Sequence, residues 1–515
     1  MFVKTFGSAV HGVEAITITI EVNWTAQGKE YCIVGLPDSA IKESMQRVES
    51  AIKSIGFEMP RTRILVNLAP ADLRKSGTAF DLPIAIGVLA ASDQLKISPS
   101  MANHVMMGEL SLDGELRAIR GALPIAIQAR KDAFSGLILP ESNSKEAAMV
   151  DGLHVYGMRS IKEVIQFIRS EGTSMSPVKI DIQKEFHDAQ QQFESDFAEV
   201  KGQENIKRAL EIAASGGHNV ILIGPPGAGK TMLAKRLPSI LPPLSLEEAL
   251  ESTKIHSVAG KLPENSTFIT KRPFRNPHHT ISDVALVGGG STPQPGEISL
   301  SHNGVLFLDE LPEFKRTVLE VMRQPMEERR VTISRAKLAV DFPASFMLVA
   351  SMNPCPCGFY NHPEKKCSCP PGAVTKYLNK ISGPLLDRID LHVEVTPVVF
   401  SQLTSTHIAE SSAAIRERVI SARKIQAQRF QDQAGIYSNS QMSVRELKKI
   451  CALDNASQAL LKKAMERLSL SARAYDRILK VSRTIADLAS SDEIKSEHIA
   501  EAIHYRNLDR EGWGG

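Results

Sequence analysis

The stretch NVILIGPPGAGKTMLAKRL (219–237) has the residue types and spacing for phosphate chemistry: Gly224, Gly229, Lys230 and Thr231 fit G-x-x-x-x-G-K-[ST]. Glycines at this spacing let the backbone wrap so that amide N–H groups point inward at phosphate oxygens. The helix that follows adds the positive end of its dipole. Gly224, Pro225, Pro226, Gly227, Ala228 and Gly229 are therefore expected to cradle a nucleotide. Lys230 would reach the β- and γ-phosphates, and Thr231 would hold Mg²⁺ through its hydroxyl. A second apolar run, GVLFLDE (304–310), ends in two acids. Asp309 is placed for Mg²⁺ and Glu310 for orienting or deprotonating an attacking water. A chance loop and a solvated acidic cap are the bland alternatives, and the apolar run ahead of each motif argues against both.

Three further groups stand near these motifs. The run SFMLVASMN (345–353) ends in Asn353, whose amide would lie near the γ-phosphate and hold the lytic water. In SGPLLDRIDLHVEV (382–395), Arg388 is spaced to serve as an arginine finger for a neighbouring subunit's nucleotide. An isolated Asp-Arg pair is otherwise a surface ion pair. Between Asn353 and Arg388 lies MNPCPCGFYNHPEKKCSCPPG (352–372), with four of the chain's six cysteines: Cys355, Cys357, Cys367 and Cys369. C-x-C, nine residues, C-x-C offers four soft ligands, enough for a closed tetrahedral Zn²⁺ site. The intervening residues build no core, so a metal would supply order that packing cannot. Free thiols and a redox pair are the alternatives. Catalytic zinc is not expected, because no separate base accompanies the ligands.

These groups need elements to position them. At 515 residues, with 43% hydrophobic and 23% charged residues, the chain is long enough for about three domains of a soluble globular protein. Sixty-one basic against 58 acidic residues leave +3, so any nucleic-acid surface must be local. No segment reads as a membrane span or a secretory signal, so a cytoplasmic location and reduced thiols are expected. Residues 1–168 alternate strand patterns (AITITIEV, TRILVNLAP) with the amphipathic run SAIKESMQRVESAIKSIG. Residues 169–195 are polar and aperiodic, a linker. Over 196–397 helices alternate with buried strands, implying a parallel sheet covered by helices. Residues 398–515 are helical in pattern. Within EERRVTISRAKLAVDFPA (327–344), RVTI and LAVDF read as a hairpin with Arg335 and Lys337 at or near its tip. Its charges either hold a phosphate backbone or only aid solubility. KRPFRNPHHTISDVALVGGGSTPQPGE (271–297) reads as a second insertion, in which the adjacent His278 and His279 suggest no metal site.

The P-loop, VLFLDE, MNPCPCG, GPLLDRID and LSARAYDRILKVSRTIADLA together resemble the magnesium-chelatase-like branch of the AAA+ ATPases. Over essentially its whole length the chain is similar to that branch's YifB-type competence family. The resemblance implies an α/β fold: an N-terminal Lon-protease-like α+β domain, a central AAA+ P-loop parallel-sheet domain with magnesium-chelatase-type insertions, and a C-terminal helical lid. It also implies that DFAEVKGQ (196–203) flanks the adenine pocket, Asn353 is sensor 1, Arg388 the finger and Arg473 sensor 2. Ala474, Ile478, Val481, Ile485 and Leu488 form the core stripe of that last helix, with Arg473 and Arg477 on a neighbouring face. GELSLDGELRAIRGALPIAIQARKDAFSGLILP (108–140) and RKSGTAFDLPIAIGVLAA (74–91) resemble the Lon proteolytic domain. Its Ser and Lys positions fall on Ala79 and Leu123, so peptidase chemistry is not expected. Lys75 and Ser76, at the wrong offset, read as a solvated turn.

The family's activity would be ATP hydrolysis in a ring, a hexamer, coupled to DNA translocation. It would act as a helicase in branch migration of recombination intermediates during natural transformation. A magnesium-chelatase motor subunit and a protein-remodelling factor are the alternatives.

Overall fold

EAITITIEVNWT alternates apolar and polar residues, the signature of a half-buried strand. It forms strand Glu14–Thr25, with Ile18, Ile20 and Val22 fully buried. The computed structural model describes all residues but 1, 26–27, 29–30, 184–185, 187–192, 194, 263–267, 291, 336–337, 361, 363, 399–408, 434, 469 and 507–515. Seven strands form the N-terminal sheet in the order Tyr31–Val34, Arg63–Ala69, Glu14–Thr25, Phe2–His11, His104–Met106, Gly136–Pro140, His154–Met158. Helix Asp81–Ala91 (DLPIAIGVLAA) is apolar all round and buried at every position.

The run read as one amphipathic helix is two, Ser39–Lys42 and Ser44–Ser54, meeting at Glu43. Asp38 caps the first by accepting from the Ile41 N–H at 2.9 Å. Lys75 corrects the reading of a solvated turn. It is fully buried, and its ammonium donates to the Gly35 carbonyl at 3.1 Å and to that of Pro70. A buried ammonium needs such partners, and burial still pushes its pKa down. Ala79 and Ser76 line an open groove of about 670 Å³ that Gly289, Gly290 and Gln294 also border.

Two contacts tie residues of the 169–195 stretch to other segments. The Val178 N–H donates to Val155 O at 2.9 Å, and the Phe186 ring stacks on Phe268 at 5.8 Å. The turn between the first two strands reaches the later part of the chain. A Cβ on Gly12 would lie 2.7 Å from Val340 Cγ1, and Val13 packs against the neighbouring core.

The second sheet has five strands, ordered Phe274–Arg275, Val305–Leu308, Met347–Met352, Val220–Ile223, Leu391–Glu394. All its pairings are parallel, with Ile223 opposite both Met352 and Glu394, and Leu308 opposite Ala350. The three central strands are apolar and wholly buried, as a sheet covered on both faces requires. Beyond it lie helices Ser412–Arg429, Val444–Ile450, Asn455–Arg467, Ala472–Leu488 and Ser496–His504. Ala474, Ile478, Val481 and Ile485 are buried and share one core with Leu210 and Ala213 of helix Glu204–Gly216. Among the described residues no helix is long and apolar enough to cross a membrane.

Candidate nucleotide site and its cysteine knuckle

Parallel strands end at a common edge, and here three of those ends carry the chemistry. The chain leaves Ile223 into the glycine-rich turn, whose Gly224 N–H donates to Met352 O at 3.2 Å. Only glycine fits there, since a Cβ would lie 2.2 Å from Val395 O. Gly229, with φ +88°, precedes helix Lys230–Arg236. Lys230 Nζ donates to Gly224 O at 2.7 Å, Pro225 O at 3.0 Å and Asn353 Oδ1 at 3.0 Å. Burial pushes its pKa down while Asp309 and Glu310 oppose the shift. Thr231 Oγ1 donates to Asp309 Oδ2 at 2.7 Å, and the Ser351 hydroxyl donates to the other carboxylate oxygen. A hydroxyl beside a carboxylate at the end of a phosphate-binding turn is a donor set suited to Mg²⁺.

Glu310 sits in the left-handed region, φ +54°, with its side chain 59% exposed. Its carboxylate faces His279, whose Nδ1 lies 3.8 Å away. The His279 ring meets that of His278 at a tilt of 34°, with ring centroids 4.1 Å apart. Sequence reading gives this histidine no role at the site. The available signal is that it follows a strand parallel to the one ending in Asp309, so both must finish at one edge. Gln203 is likewise not singled out as an individual residue by sequence. Its Nε2 donates to Ala228 O at 2.9 Å and Thr396 O at 3.2 Å. Its buried Oε1 has no partner among the described residues, an acceptor left open beside the phosphate turn.

The arginines lie at the other end of the sheet. Arg388 precedes strand Leu391–Glu394, whose far end pairs with Ile223. Its side chain is 7% exposed, donating to Pro384 O at 2.6 Å and ion-paired to Glu327 at 2.6 Å. Burial pushes its pKa down, Glu327 opposes this, and nearby Arg323 and Arg473 add to the downward pull. Arg473 is 58% exposed and 4.0 Å from Asp387. Arg477 diverges from it, half-buried and ion-paired at 2.9 Å to the buried Asp390. One turn of helix thus separates a surface guanidinium from a structural one.

The cysteines converge. The four Sγ atoms lie within 4.8 Å of one another, with Cys355–Cys357 at 3.3 Å, Cys357–Cys367 at 3.5 Å and Cys355–Cys367 at 3.8 Å. Zinc at ~2.3 Å from each sulfur sets tetrahedral edges of ~3.8 Å. A disulfide needs ~2.05 Å, and none of these pairs approaches it. The hairpin forms as Arg330–Arg335 against Leu338–Pro343, with Arg335 opposite Leu338. Lys337 and the side chain of Arg335 lie outside the described residues.

Sheet order, phosphate turn and paired acids define the class: a magnesium-chelatase-type AAA+ ATPase. The family model described as magnesium chelatase, subunit ChlI, matches residues 196–403, and its C-terminal model matches 409–506. A further model, subunit ChlI of Mg-chelatase, matches 20–143. The chain is 44% identical over 511 residues to competence protein ComM of Haemophilus influenzae, covering 98% of this chain and 97% of the relative. It is 43% identical to the YifB protein of Salmonella typhimurium, covering 98% and 96%. Against Lon protease 2 of Bacillus subtilis the identity is 32% over 154 residues, 27% of this chain and 26% of that one. The chain belongs to the ComM/YifB family.

Proposed function

We propose that this chain is one protomer of an ATP-hydrolysing ring, a hexamer, that translocates on DNA and promotes branch migration of recombination intermediates in natural transformation. The convergence of Lys230, Thr231, Asp309, Glu310 and Asn353 on one sheet edge carries the ATPase part. In this reading Lys230 and the amides of 224–229 hold the phosphates, and the open acceptor of Gln203 lies toward the base. Thr231 and Asp309 hold Mg²⁺, which supplies charge neutralisation at the phosphates. Glu310 orients and deprotonates the attacking water, and Asn353 fixes its position. Arg388 stands at the end of strand Leu391–Glu394 opposite the phosphate turn and completes a neighbour's pocket, with Glu327 holding the finger in place. A heterologous contact of this kind, repeated with a rotation that closes, gives a ring. Arg473 serves as sensor 2 on the helical lid.

DNA as the substrate is supported by the near-full-length identity to a protein named for competence. The hairpin bearing Arg335 and Lys337 would line the channel and hold the phosphate backbone without reading sequence. The working units are 1–168, 196–397 and 398–515, joined through 169–195, with the Lon-like unit serving without peptidase chemistry. The cysteine knuckle holds a structural zinc.

The rival readings, a magnesium-chelatase motor and a protein-remodelling factor, share the ATP site but not the DNA. The test is ATP turnover with single-stranded, duplex and four-way DNA, followed by branch migration on a synthetic junction. Stimulation and junction movement are expected. Turnover indifferent to all three DNAs, with a static junction, refutes the DNA reading and leaves the ATPase.

A further inference from the structure

We propose that the four-cysteine knuckle is a zinc-dependent brace for the phosphate-binding turn, so that metal occupancy sets nucleotide affinity. This rests on the reading of the Lys230 turn as the nucleotide site.

The knuckle grips that turn from two sides. On one side, the chain leaves strand Met347–Met352 at Asn353, whose Oδ1 accepts from Lys230 Nζ, and reaches Cys355 two residues later. On the other side, the chain turns back at Gly358, whose N–H donates to Cys355 O at 3.0 Å. Gly358 has φ +84°, and a Cβ there would lie 2.4 Å from Pro226 Cδ and 2.8 Å from its Cγ. The backbone of the knuckle is therefore packed directly on the proline ring of the phosphate turn. Cys355 Sγ also accepts from the Tyr360 N–H at 3.3 Å, so the first sulfur fixes the turn's far arm.

Little apolar packing holds the knuckle itself: its half-buried Phe359 ring meets only His362 at 5.6 Å and Lys365 Nζ at 5.0 Å among the ring contacts of the described residues. Cys355 is buried, but among the described residues of 356–372 only Gly358 is buried as well. The charged run Glu364, Lys365 and Lys366 is exposed. Four sulfurs clustered within 4.8 Å are the feature that can close the loop. Held as thiolates without a cation they repel one another, and held as thiols they bond only weakly. A divalent soft cation removes that repulsion and makes the segment rigid. Its rigidity then passes through Gly358 to Pro226 and through Asn353 to Lys230. Without the metal the turn loses its backing on both contacts, and its amides are no longer pre-aimed at phosphate.

The test uses the full chain with zinc content and binding of a fluorescent ATP analogue as its two readouts. About one zinc per chain is expected in the purified protein. Cys357→Ser with Cys369→Ser should lose the metal and bind the analogue about tenfold more weakly, equivalent to ~1.4 kcal/mol. Gly358→Val should keep zinc yet show a similar loss, since its side chain displaces Pro226. Should the double variant fail to fold, chelation and zinc reloading of the wild type decide the matter: affinity should fall and return. No bound zinc, or equal affinity in the stripped and loaded protein, overturns the brace. Lys230→Ala separates the two readings. If it abolishes analogue binding while zinc removal changes nothing, the nucleotide site stands and the brace falls. If it leaves binding intact, the nucleotide reading itself fails.

Discussion

Arg388→Ala should abolish turnover in a way that a second inactive variant can rescue. Arg388 and the phosphate turn stand at opposite ends of neighbouring strands, Leu391–Glu394 and Val220–Ile223. Four strand residues span ~13 Å. The guanidinium is moreover directed at Glu327 and the Pro384 carbonyl. A finger that cannot reach its own nucleotide must act on a neighbour's. Loss of such a finger lowers turnover by ~10³-fold or more. The fold should tolerate the change, because Glu327 is 48% exposed and stays solvated when its partner leaves. Lys230→Ala should be equally inactive for a different reason, an empty site. Co-expressed in equal amounts with distinct tags, the two variants assemble at random. A pocket works when its phosphate turn comes from an Arg388→Ala protomer and its finger from a Lys230→Ala protomer, so about a quarter of pockets are intact. ATP turnover of doubly tagged rings should recover to about that fraction. If mixing restores nothing, or if Arg388→Ala alone keeps wild-type turnover, the finger acts in cis or not at all.

Glu310→Gln should retain ATP binding and lose ~10²–10⁴-fold in turnover, measured by single-turnover hydrolysis; near-normal rates would remove Glu310 from the mechanism. Arg335→Ala with Lys337→Ala should weaken DNA binding and flatten its salt dependence while basal turnover persists; an unchanged binding isotherm takes the hairpin out of the channel. Arg477→Met should destabilise the chain by ~3–5 kcal/mol in denaturant unfolding, since it takes the ion-paired guanidinium from the buried Asp390 carboxylate and leaves it only His218 and the Asn219 N–H; a change below ~1 kcal/mol would refute this. Burial alone would raise the Asp390 pKa, but Arg477, His218 and the Asn219 N–H outweigh it and hold the carboxyl well below its usual range. A depressed folded-state pKa means stability present above ~4 and lost as pH falls below it. Acid unfolding followed by circular dichroism should therefore show wild type losing its advantage over Arg477→Met in that window.

What the sequence determined by itself was local. Strand periodicity and the glycine, lysine and threonine spacing were enough to locate Lys230, Thr231, Asp309 and Asn353, because each follows an apolar strand and strand ends are set by nearest neighbours. The hairpin at 330–343 was legible for the same reason: alternation and a short turn specify its pairing. Tertiary structure decided everything that depends on which strands lie side by side. Insertion of Met347–Met352 between its two neighbours brings Asn353 to Lys230 and Ser351 to Asp309. The short strand at Phe274 carries His279 to Glu310, which no local pattern announces. Arg473 and Arg477 look equivalent one turn apart, yet only Arg477 meets a buried carboxylate. Lys75 looks solvated in sequence because one of its carbonyl partners, Gly35, is a distant residue brought close only by the fold. Contacts between distant segments are selected by packing of the whole core, and that selection is invisible to spacing along the chain.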